Sequence, residues 1–157
     1  MIDELLILRA AIRADARILL AWRNHPGTSA GSRQSEPIAD AEHEQWLDRV
    51  LADPDRDLLI GKVDGRPIGQ VRFDGLVDGR REISVGVDPA VQGRGLGRRL
   101  IAAGIDWLWR ADPGAAAVDA WVRTENHRSL AAFRGCGFAL AGDARDGLER
   151  LELVRGR

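Results

Sequence analysis

One stretch in the middle of the chain, from Ile83 to Leu100, constrains the fold more than any other part of the sequence. Its first residues, Ile83 to Val87, alternate apolar with small side chains and are rich in β-branched types, which predicts a strand. Pro89 cannot donate a hydrogen bond to a sheet and ends that strand. Apolar residues at intervals of four from Leu96 onward predict a helix to about Arg110. The stretch therefore predicts a strand, a glycine-rich loop and a helix in direct succession.

The loop carries three glycines at alternate positions, Gly93, Gly95 and Gly97. Glycines let the backbone turn its N–H groups toward one point, and a helix that begins there adds the positive end of its dipole. Arg94 and Arg98 stand beside these glycines, although basic residues in a first helical turn oppose the dipole. The combination predicts a binding site for an anion.

Two common kinds of glycine loop do not match this one. A Walker-type loop has Lys and then Ser or Thr after its last glycine, whereas Arg98 and Arg99 follow Gly97 here. The dinucleotide fingerprint Gly-x-Gly-x-x-Gly lies inside a βαβ unit. Here the third glycine comes one residue early, and two predicted hairpins precede the strand. The predicted anion site therefore belongs to another class of loop.

Composition limits the possible partners. The chain has 157 residues, a net charge of −1 and a single cysteine, Cys136. This length indicates one domain, the balanced charge argues against nucleic acid, and one cysteine excludes an internal disulfide and fits a reducing compartment. Charged residues inside the first apolar run exclude a signal peptide, and no zinc-ligand spacing occurs. We expect one cytoplasmic domain over residues 1–157, monomeric or homodimeric, with no metal, nucleic-acid or membrane partner.

The remaining elements follow from periodicity, caps and turns. Asp15 is expected to cap a helix, Asn126 another, and the Asp-Gly pairs at 64–65 and 78–79 predict hairpins. The segment 27–37 is predicted to be a loop. The predicted elements are strand Leu5–Ile12, helix Asp15–Asn24, helix Ile38–Leu51, strands Leu58–Val63, Pro67–Phe73 and Arg81–Val87, helix Leu96–Arg110, strand Ala117–Val122, a helix from Asn126 to near Gly135 or Gly137, and strands Phe138–Leu140 and Leu148–Val154.

This order predicts a single α/β (α+β) domain whose mixed, mostly antiparallel sheet has helices on both faces. The strands on either side of the central helix are expected to be parallel neighbours.

Three groups of residues resemble one enzyme family. Gln92-Gly-Arg-Gly-Leu-Gly97 resembles the Q/R-x-x-G-x-G/A signature of the GNAT N-acetyltransferases. Asn126-x-x-Ser129-x-x-x-Phe133-x-x-x-Gly137-Phe138 is similar to the second motif of that family. Pieces of the first half, Leu20-Ala-Trp-Arg-Asn24, Glu42-His-Glu-Gln-Trp-Leu47 and Arg72-Phe73, are similar to members that acetylate the 4-amino group of nucleotide-linked deoxy sugars. They are less clearly similar to ribosomal-protein N-terminal acetyltransferases.

The resemblance implies that acetyl-coenzyme A is the donor. The glycine loop is expected to hold its pyrophosphate, Val85 and Val87 to pair with the pantetheine arm like an added strand, and Asn126 to contact that arm. Both valines can equally be core residues. The predicted cofactor-binding residues are Val85, Val87, Gln92, Gly93, Arg94, Gly95, Leu96, Gly97, Arg98, Asn126 and Phe133.

Acetyl transfer also needs a group that deprotonates the amine and a group that protonates the leaving thiolate. Glu82 and His43 are the candidates for the first task, although Glu82 could instead pair with Arg80 or Arg81, and His43 could be a packed core residue. Phe133 stands where many relatives have tyrosine, and the chain contains no tyrosine. Ser129, one helical turn earlier, or a water molecule could supply the proton.

The acceptor is expected to contact Arg23, Asn24 and Trp46, because this segment usually forms the acceptor side in the family. Arg23 could bind a phosphate and Trp46 could stack on a ring, but surface ion pairing and core packing explain the same residues equally well. The leading prediction is direct acetyl transfer to a small amine, with a nucleotide-linked amino sugar first and a protein N-terminus second. A non-catalytic acyl-coenzyme A binding module is the alternative from another class, because Phe133 lacks a proton to donate.

Overall fold

The computed structural model describes residues 5–26, 37–142 and 145–156. Within these ranges the chain forms seven strands and four α-helices. They are β1 (Leu6–Ala10), α1 (Ala16–Asn24), α2 (Asp40–Ala52), β2 (Arg56–Val63), β3 (Arg66–Gly75), β4 (Arg80–Val87), α3 (Leu96–Ala111), β5 (Ala117–Arg123), α4 (His127–Gly135), β6 (Ala139–Leu140) and β7 (Leu148–Val154), with 3-10 turns at Arg13–Asp15 and Pro89–Val91. Apart from Pro37, the predicted loop at 27–37 lies outside the described residues.

The strands form one sheet in the order β1-β2-β3-β4-β5-β7-β6. Every neighbouring pair is antiparallel except β4 and β5, which are parallel. Asp64 and Gly65 have φ values of 51° and 76°, and Asp78 and Gly79 have values of 60° and 74°, so left-handed residues close both predicted hairpins. The predicted fold class and the predicted parallel pair are confirmed.

Two apolar clusters hold the sheet between helices. Because side chains alternate along a strand, Leu59 of β2 faces the main cluster while Leu58 and Ile60 face the second. The main cluster joins one face of the sheet to α3 and α4, and the second joins the opposite face of β2 to α1 and α2. Among the described residues, the second cluster does not extend to β4, β5 and β7, whose side chains on that face include charged groups.

Leu100 fixes how closely α3 approaches the sheet. It is fully buried in the first part of the helix and lies over Gly61 of β2 and Gly69 of β3. A Cβ added at Gly69 would lie 2.6 Å from the Leu100 side chain, and one added at Gly61 would also collide with it. The absence of side chains at these two positions lets α3 pack tightly, which brings its N-terminus close to the end of β4.

Asp15 does not cap α1 as predicted. Its backbone is helical, and its side chain makes no cap hydrogen bond. The carboxylate instead accepts two hydrogen bonds from Arg9 at 2.8 Å and one from the Ile12 N–H at 2.8 Å. The hydrogen bond from Arg9 holds the pKa of Asp15 below its usual range, although burial opposes this shift. The nearby guanidinium competes better for the carboxylate than the helix N-terminus does.

No helix within the described ranges is long and apolar enough to span a bilayer.

Candidate functional site

The sheet forks between β4 and β5. These strands pair only through Arg80, Arg81 and Glu82, whose partners are Ala117, Val118 and Asp119. On its other side, β4 stays paired with β3 as far as Val87. The last five residues of β4 therefore present one backbone edge that β5 does not cover, and such an edge can pair with an extended ligand. Glu82 lies on the last shared rung, at the apex of the fork.

The glycine loop lies just beyond the open end of the fork. Gly93 and Gly95 have φ values of 83° and 74°, which L-residues rarely adopt. Apart from its chain neighbours, a Cβ added at either position would meet no atom of the described residues within 4 Å, so there is open space beside both glycines. Gly95 is the N-cap of α3, and the first N–H groups of a helix have no intrahelical acceptor. The loop thus combines unpaired donors, a dipole and open space, as an anion site requires.

The loop side chains have different environments. Gln92 and Arg94 are exposed, whereas Leu96 is buried against the core and anchors the start of α3. Val85 and Val87 are half-buried and pack against the main cluster, so they have a core role whether or not a ligand pairs with their backbone.

Arg98 of α3 lies close to the end of α4, and the sequence did not indicate this contact. A Cβ added at Gly135 would lie 3.1 Å from the Arg98 Nε and 3.3 Å from its guanidinium carbon, so the arginine extends across the end of α4. Cys136 donates a hydrogen bond from its thiol to the Arg98 carbonyl at 3.4 Å. Arg98 is exposed, as Arg94 is, and their contact with an anion stays a prediction.

The start of α4 confirms one structural prediction. Asn126 is the N-cap, and its side-chain oxygen accepts a hydrogen bond from the Ser129 N–H at 3.2 Å. Ser129 is half-buried. Phe133 is 4% exposed and packs edge-on against Phe138, with ring centroids 5.1 Å apart. Phe133 therefore serves at least as a core residue, and its proposed contact with the donor stays a prediction.

A chain of contacts connects α2 to β4. His43 is buried against Trp46, with ring centroids 5.3 Å apart. The Arg72 guanidinium lies 5.5 Å from the Trp46 ring centroid and donates to the Ser84 hydroxyl at 3.4 Å. Trp46 is half-buried and therefore lies between the second cluster and the charged face of the sheet. The aromatic side chains of α2 thus border the face that carries Glu82.

His43 is a buried imidazole whose surroundings disfavour the protonated form. Burial lowers its pKa, while the nearby carboxylates of Asp40 and Glu44 raise it to a smaller extent. Its Nδ1 atom is buried and has no hydrogen-bond partner among the described residues. His43 also lines a groove of about 740 Å³ between α1 and the first half of α2. A volume of this size suits a small molecule.

Arg23 and Asn24 lie at the end of α1. Burial lowers the pKa of Arg23. The Asn24 side chain donates to the Ile38 carbonyl at 2.7 Å and accepts from the Ile38 N–H at 2.8 Å. Asn24 therefore joins the end of α1 to the residues before α2, and this structural role was not anticipated. Its contact with an acceptor stays a prediction.

A row of four acidic residues crosses the open face of the sheet. Asp74 is paired in register with Glu82, Glu82 with Asp119, and Asp119 with Glu152. Residues paired in this way have side chains on the same face, so the four carboxylates lie side by side across β3, β4, β5 and β7. Sequence spacing cannot reveal this row, because it depends on the register between strands that are distant in the chain.

Arginines neutralise three members of this row. Arg80 donates to Asp119 at 3.0 Å and to Glu152 at 2.6 Å, and Arg150 donates to Asp119 at 3.1 Å. The hydrogen bond to Asp119 raises the pKa of Arg80. Arg72 donates to Asp74 at 3.2 Å. Within the described ranges, no three His, Cys, Asp or Glu side chains converge on a point where a metal ion could bind.

The forked sheet and its glycine loop define a class of protein that can hold an extended ligand along β4 and the anionic part of that ligand at the start of α3. The sequence profile described as Acetyltransferase (GNAT) family matches residues 18–138. The chain belongs to this family, which confirms the resemblance of its motifs. The narrower resemblance to enzymes that act on nucleotide-linked amino sugars stays a prediction.

Two acetyltransferases are also similar to this chain in sequence. Mycothiol acetyltransferase from Clavibacter sepedonicus is 36% identical over 121 residues, which are 75% of this chain and 36% of that protein. N-alpha-acetyltransferase RimI from Mycobacterium tuberculosis is 44% identical over 59 residues, 38% of this chain and 34% of that protein. The chain thus spans about a third of the length of each of these relatives.

Among solved structures, aminoglycoside acetyltransferase AAC(6')-Ib in complex with coenzyme A and kanamycin has a TM-score of 0.84 at 23% sequence identity, covering 96% of this chain and 95% of that one. At this level of identity, the likeness supports the fold.

Proposed function

We propose that the chain transfers an acetyl group directly from acetyl-coenzyme A to the primary amine of a small acceptor. The observation that carries this proposal is the combination of the fork and the glycine loop. An uncovered edge of β4 leads straight to Gly93 and Gly95, where the backbone is open to an anion. A donor with an amide-bearing arm and a pyrophosphate matches both parts of this surface.

The donor is proposed to bind through the backbone more than through side chains. The arm would pair with the free edge of β4 at Val85 and Val87, and the pyrophosphate would accept hydrogen bonds from N–H groups between Gln92 and Arg98. Arg94 adds positive charge from an exposed position. Asn126 uses its oxygen for the α4 cap, so its amide N–H groups are the atoms it could offer to the arm.

Glu82 is the proposed acceptor of the amine proton. It lies on the last shared rung of β4 and β5, at the apex of the fork, and faces the open side of the sheet. An amine must lose a proton to attack a thioester, and a carboxylate held within hydrogen-bond reach can take it directly or through one water. His43 is the weaker candidate, because Trp46 and Arg72 lie between it and β4.

Transfer is proposed to be direct, without an acetylated enzyme. Cys136 is the single cysteine, and burial raises the pKa of its thiol. Its thiol hydrogen is also directed to a backbone carbonyl, which makes it a poor nucleophile. Phe133 cannot protonate the departing thiolate, so the proposal assigns that step to the Ser129 hydroxyl or to water.

The acceptor is proposed to be a small amine without a phosphate group, such as an amino sugar. Arg72, Arg80 and Arg150 on the open face already contact carboxylates, so a phosphate would have to compete with those ion pairs. A nucleotide-linked amino sugar, which the sequence motifs favour, is therefore the second candidate, and the similarity to RimI keeps a protein N-terminus as the third.

The direct test is release of free thiol from acetyl-coenzyme A in the presence of candidate acceptors. The panel should contain amino sugars, the same sugars linked to a nucleotide, polyamines and peptides with free N-termini. We expect amino sugars without phosphate to react fastest. Release with none of the amines, together with tight donor binding, would instead identify a non-catalytic acyl-coenzyme A module.

Glu82→Gln tests the proposed base. We expect turnover to fall by on the order of 10², with unchanged affinity for acetyl-coenzyme A, because the amide cannot accept the proton. Glu149→Gln is the matched control, since Glu149 is also a half-buried strand glutamate but lies outside the acidic row. Equal turnover in the two variants, with the pH–rate profile of wild type in both, would remove Glu82 from the mechanism.

A further inference from the structure

The acidic row poses an electrostatic problem. Like charges directly opposite each other on neighbouring strands are destabilising, and adjacent strands are only about 4.8 Å apart. Glu82 has a carboxylate neighbour on each side, Asp74 on β3 and Asp119 on β5. Positive charges interleaved with the row offset this repulsion.

The interleaved charges are organised around Asp119. Its side chain is 8% exposed and contacts both Arg80 and Arg150, which lie on different strands. Glu152 contacts the same two arginines, at 2.6 Å and 3.6 Å. Asp119, Glu152, Arg80 and Arg150 form a compact group of two negative and two positive charges beside Glu82. We call it the β5 charge cluster.

We propose that Asp119 and Arg150 are positioning residues that set the electrostatic environment of Glu82 and thereby the pH range in which it can accept a proton. This inference rests on the proposed role of Glu82. Asp119 shares the last rung of the fork with Glu82, so its charge acts on Glu82 at the shortest inter-strand distance. Arg150 contacts Asp119 from the far side and offsets that charge.

Other charged groups on the neighbouring elements contact described partners of their own. On β3, Asp74 contacts Arg72, and Arg56 of β2 lies 3.5 Å from the same carboxylate. On β4, Arg80 belongs to the β5 charge cluster. On α2, Trp46 borders this face, and burial lowers the pKa of His43 behind it. Variants of Asp119 and Arg150 therefore change the charge on one side of Glu82 and leave the Asp74 pairs in place.

The proposal predicts shifts of opposite sign. Asp119→Asn removes a negative neighbour, so the Glu82 carboxylate forms more readily and the acidic limb of the pH–rate profile moves to lower pH. Arg150→Gln removes a positive neighbour, and the limb moves to higher pH. The shift should be on the order of half a unit to one unit for Asp119→Asn, and smaller for Arg150→Gln because Arg150 lies one strand further from Glu82. Arg150→Lys keeps the charge and should restore the wild-type profile.

Asp15→Asn is the matched control, because Asp15 is also a buried aspartate in a two-fold contact with an arginine but lies near β1. It should lose stability without shifting the limb. Arg150 is 29% exposed, so its variants are expected to fold even if Asp119→Asn does not.

A second measurement separates this inference from the proposed function. The side-chain carbon signal of Glu82, assigned by its absence in Glu82→Gln, is titrated by NMR in each folded variant without any substrate. Opposite shifts of its midpoint in Asp119→Asn and Arg150→Gln, or an upward shift in Arg150→Gln that Arg150→Lys reverses, support the charge role even if no acceptor reacts. Unshifted midpoints, or shifts in the same direction, overturn it. A wild-type acidic limb retained in Glu82→Gln would instead overturn the role of Glu82 as the base.

Discussion

Replacing Gly95 by alanine tests the glycine loop directly. At φ 74° an L-residue costs about 1–2 kcal/mol, so Gly95→Ala should lower the melting temperature by roughly 2–8 °C in a domain of this size. The new methyl group meets no protein atom within 4 Å, so it causes no internal clash. We propose that the donor pyrophosphate approaches the start of α3 through the space that this methyl group fills. We therefore expect the dissociation constant for acetyl-coenzyme A to rise at least tenfold, equivalent to about 1.4 kcal/mol.

Gly156→Ala supplies the matched control. Gly156 has a φ of 84°, and its added Cβ also meets nothing within 4 Å. It follows β7 next to the start of β5, whereas the loop follows the end of β4, so the two glycines lie at opposite ends of the parallel pair. Isothermal titration calorimetry on both variants separates backbone strain from blocked binding. Similar stability losses with weaker binding only in Gly95→Ala are expected. Wild-type affinity in folded Gly95→Ala would refute the assignment of the loop to the donor pyrophosphate.

Three further predictions concern single side chains. The melting temperature of wild type should fall as the pH drops below about 6.5, because His43 binds a proton more readily in the unfolded chain than in the fold, where burial lowers its pKa. His43→Gln should reduce that fall. Asn24→Ala should lower the free energy of unfolding, measured by urea denaturation, by about 1–3 kcal/mol, because the Ile38 N–H and carbonyl lose their partner. Unchanged stability would contradict the role of Asn24 in joining α1 to the residues before α2. Phe133→Tyr should release thiol at least as fast as wild type while losing about 1–3 kcal/mol of stability if its hydroxyl finds no partner, and a sharp loss of turnover with intact donor binding would show that the site needs the apolar ring.

Much of the fold was predictable because its signals are local. Asp-Gly pairs gave both hairpins of the meander, and the spacing of apolar residues after Gly95 gave α3. Asn126 was correctly predicted to cap α4. Asp15 was wrongly predicted to cap α1. An aspartate before a helix is a typical N-cap, and the competing contact with Arg9 appears only in the folded chain. Local propensity cannot decide between a helix N-terminus and a guanidinium from another element.

The candidate site was predictable in part for the same reason. The glycine loop is contiguous in sequence, so its residues could be identified before the structure was known. The fork is not contiguous, because it depends on where β4 and β5 stop pairing. The acidic row likewise appears only when Asp74, Glu82, Asp119 and Glu152 are aligned by register. The approach of Arg98 to Gly135 depends on how α3 and α4 pack, and no spacing rule encodes it.

The packing of Leu100 over two glycines also determines which sequence changes the family could accumulate here. At Gly61 a new methyl group would collide with the end of a flexible leucine, so shortening residue 100 can relieve the clash. At Gly69 the methyl would also run into the Gly86 carbonyl on β4, and no second substitution removes a backbone oxygen. Substitutions at Gly61 and Leu100 can therefore compensate for each other in evolution. Gly69 cannot be replaced while β3 and β4 keep their register. Related chains should show covariation at the first pair of positions and an unvarying glycine at the second.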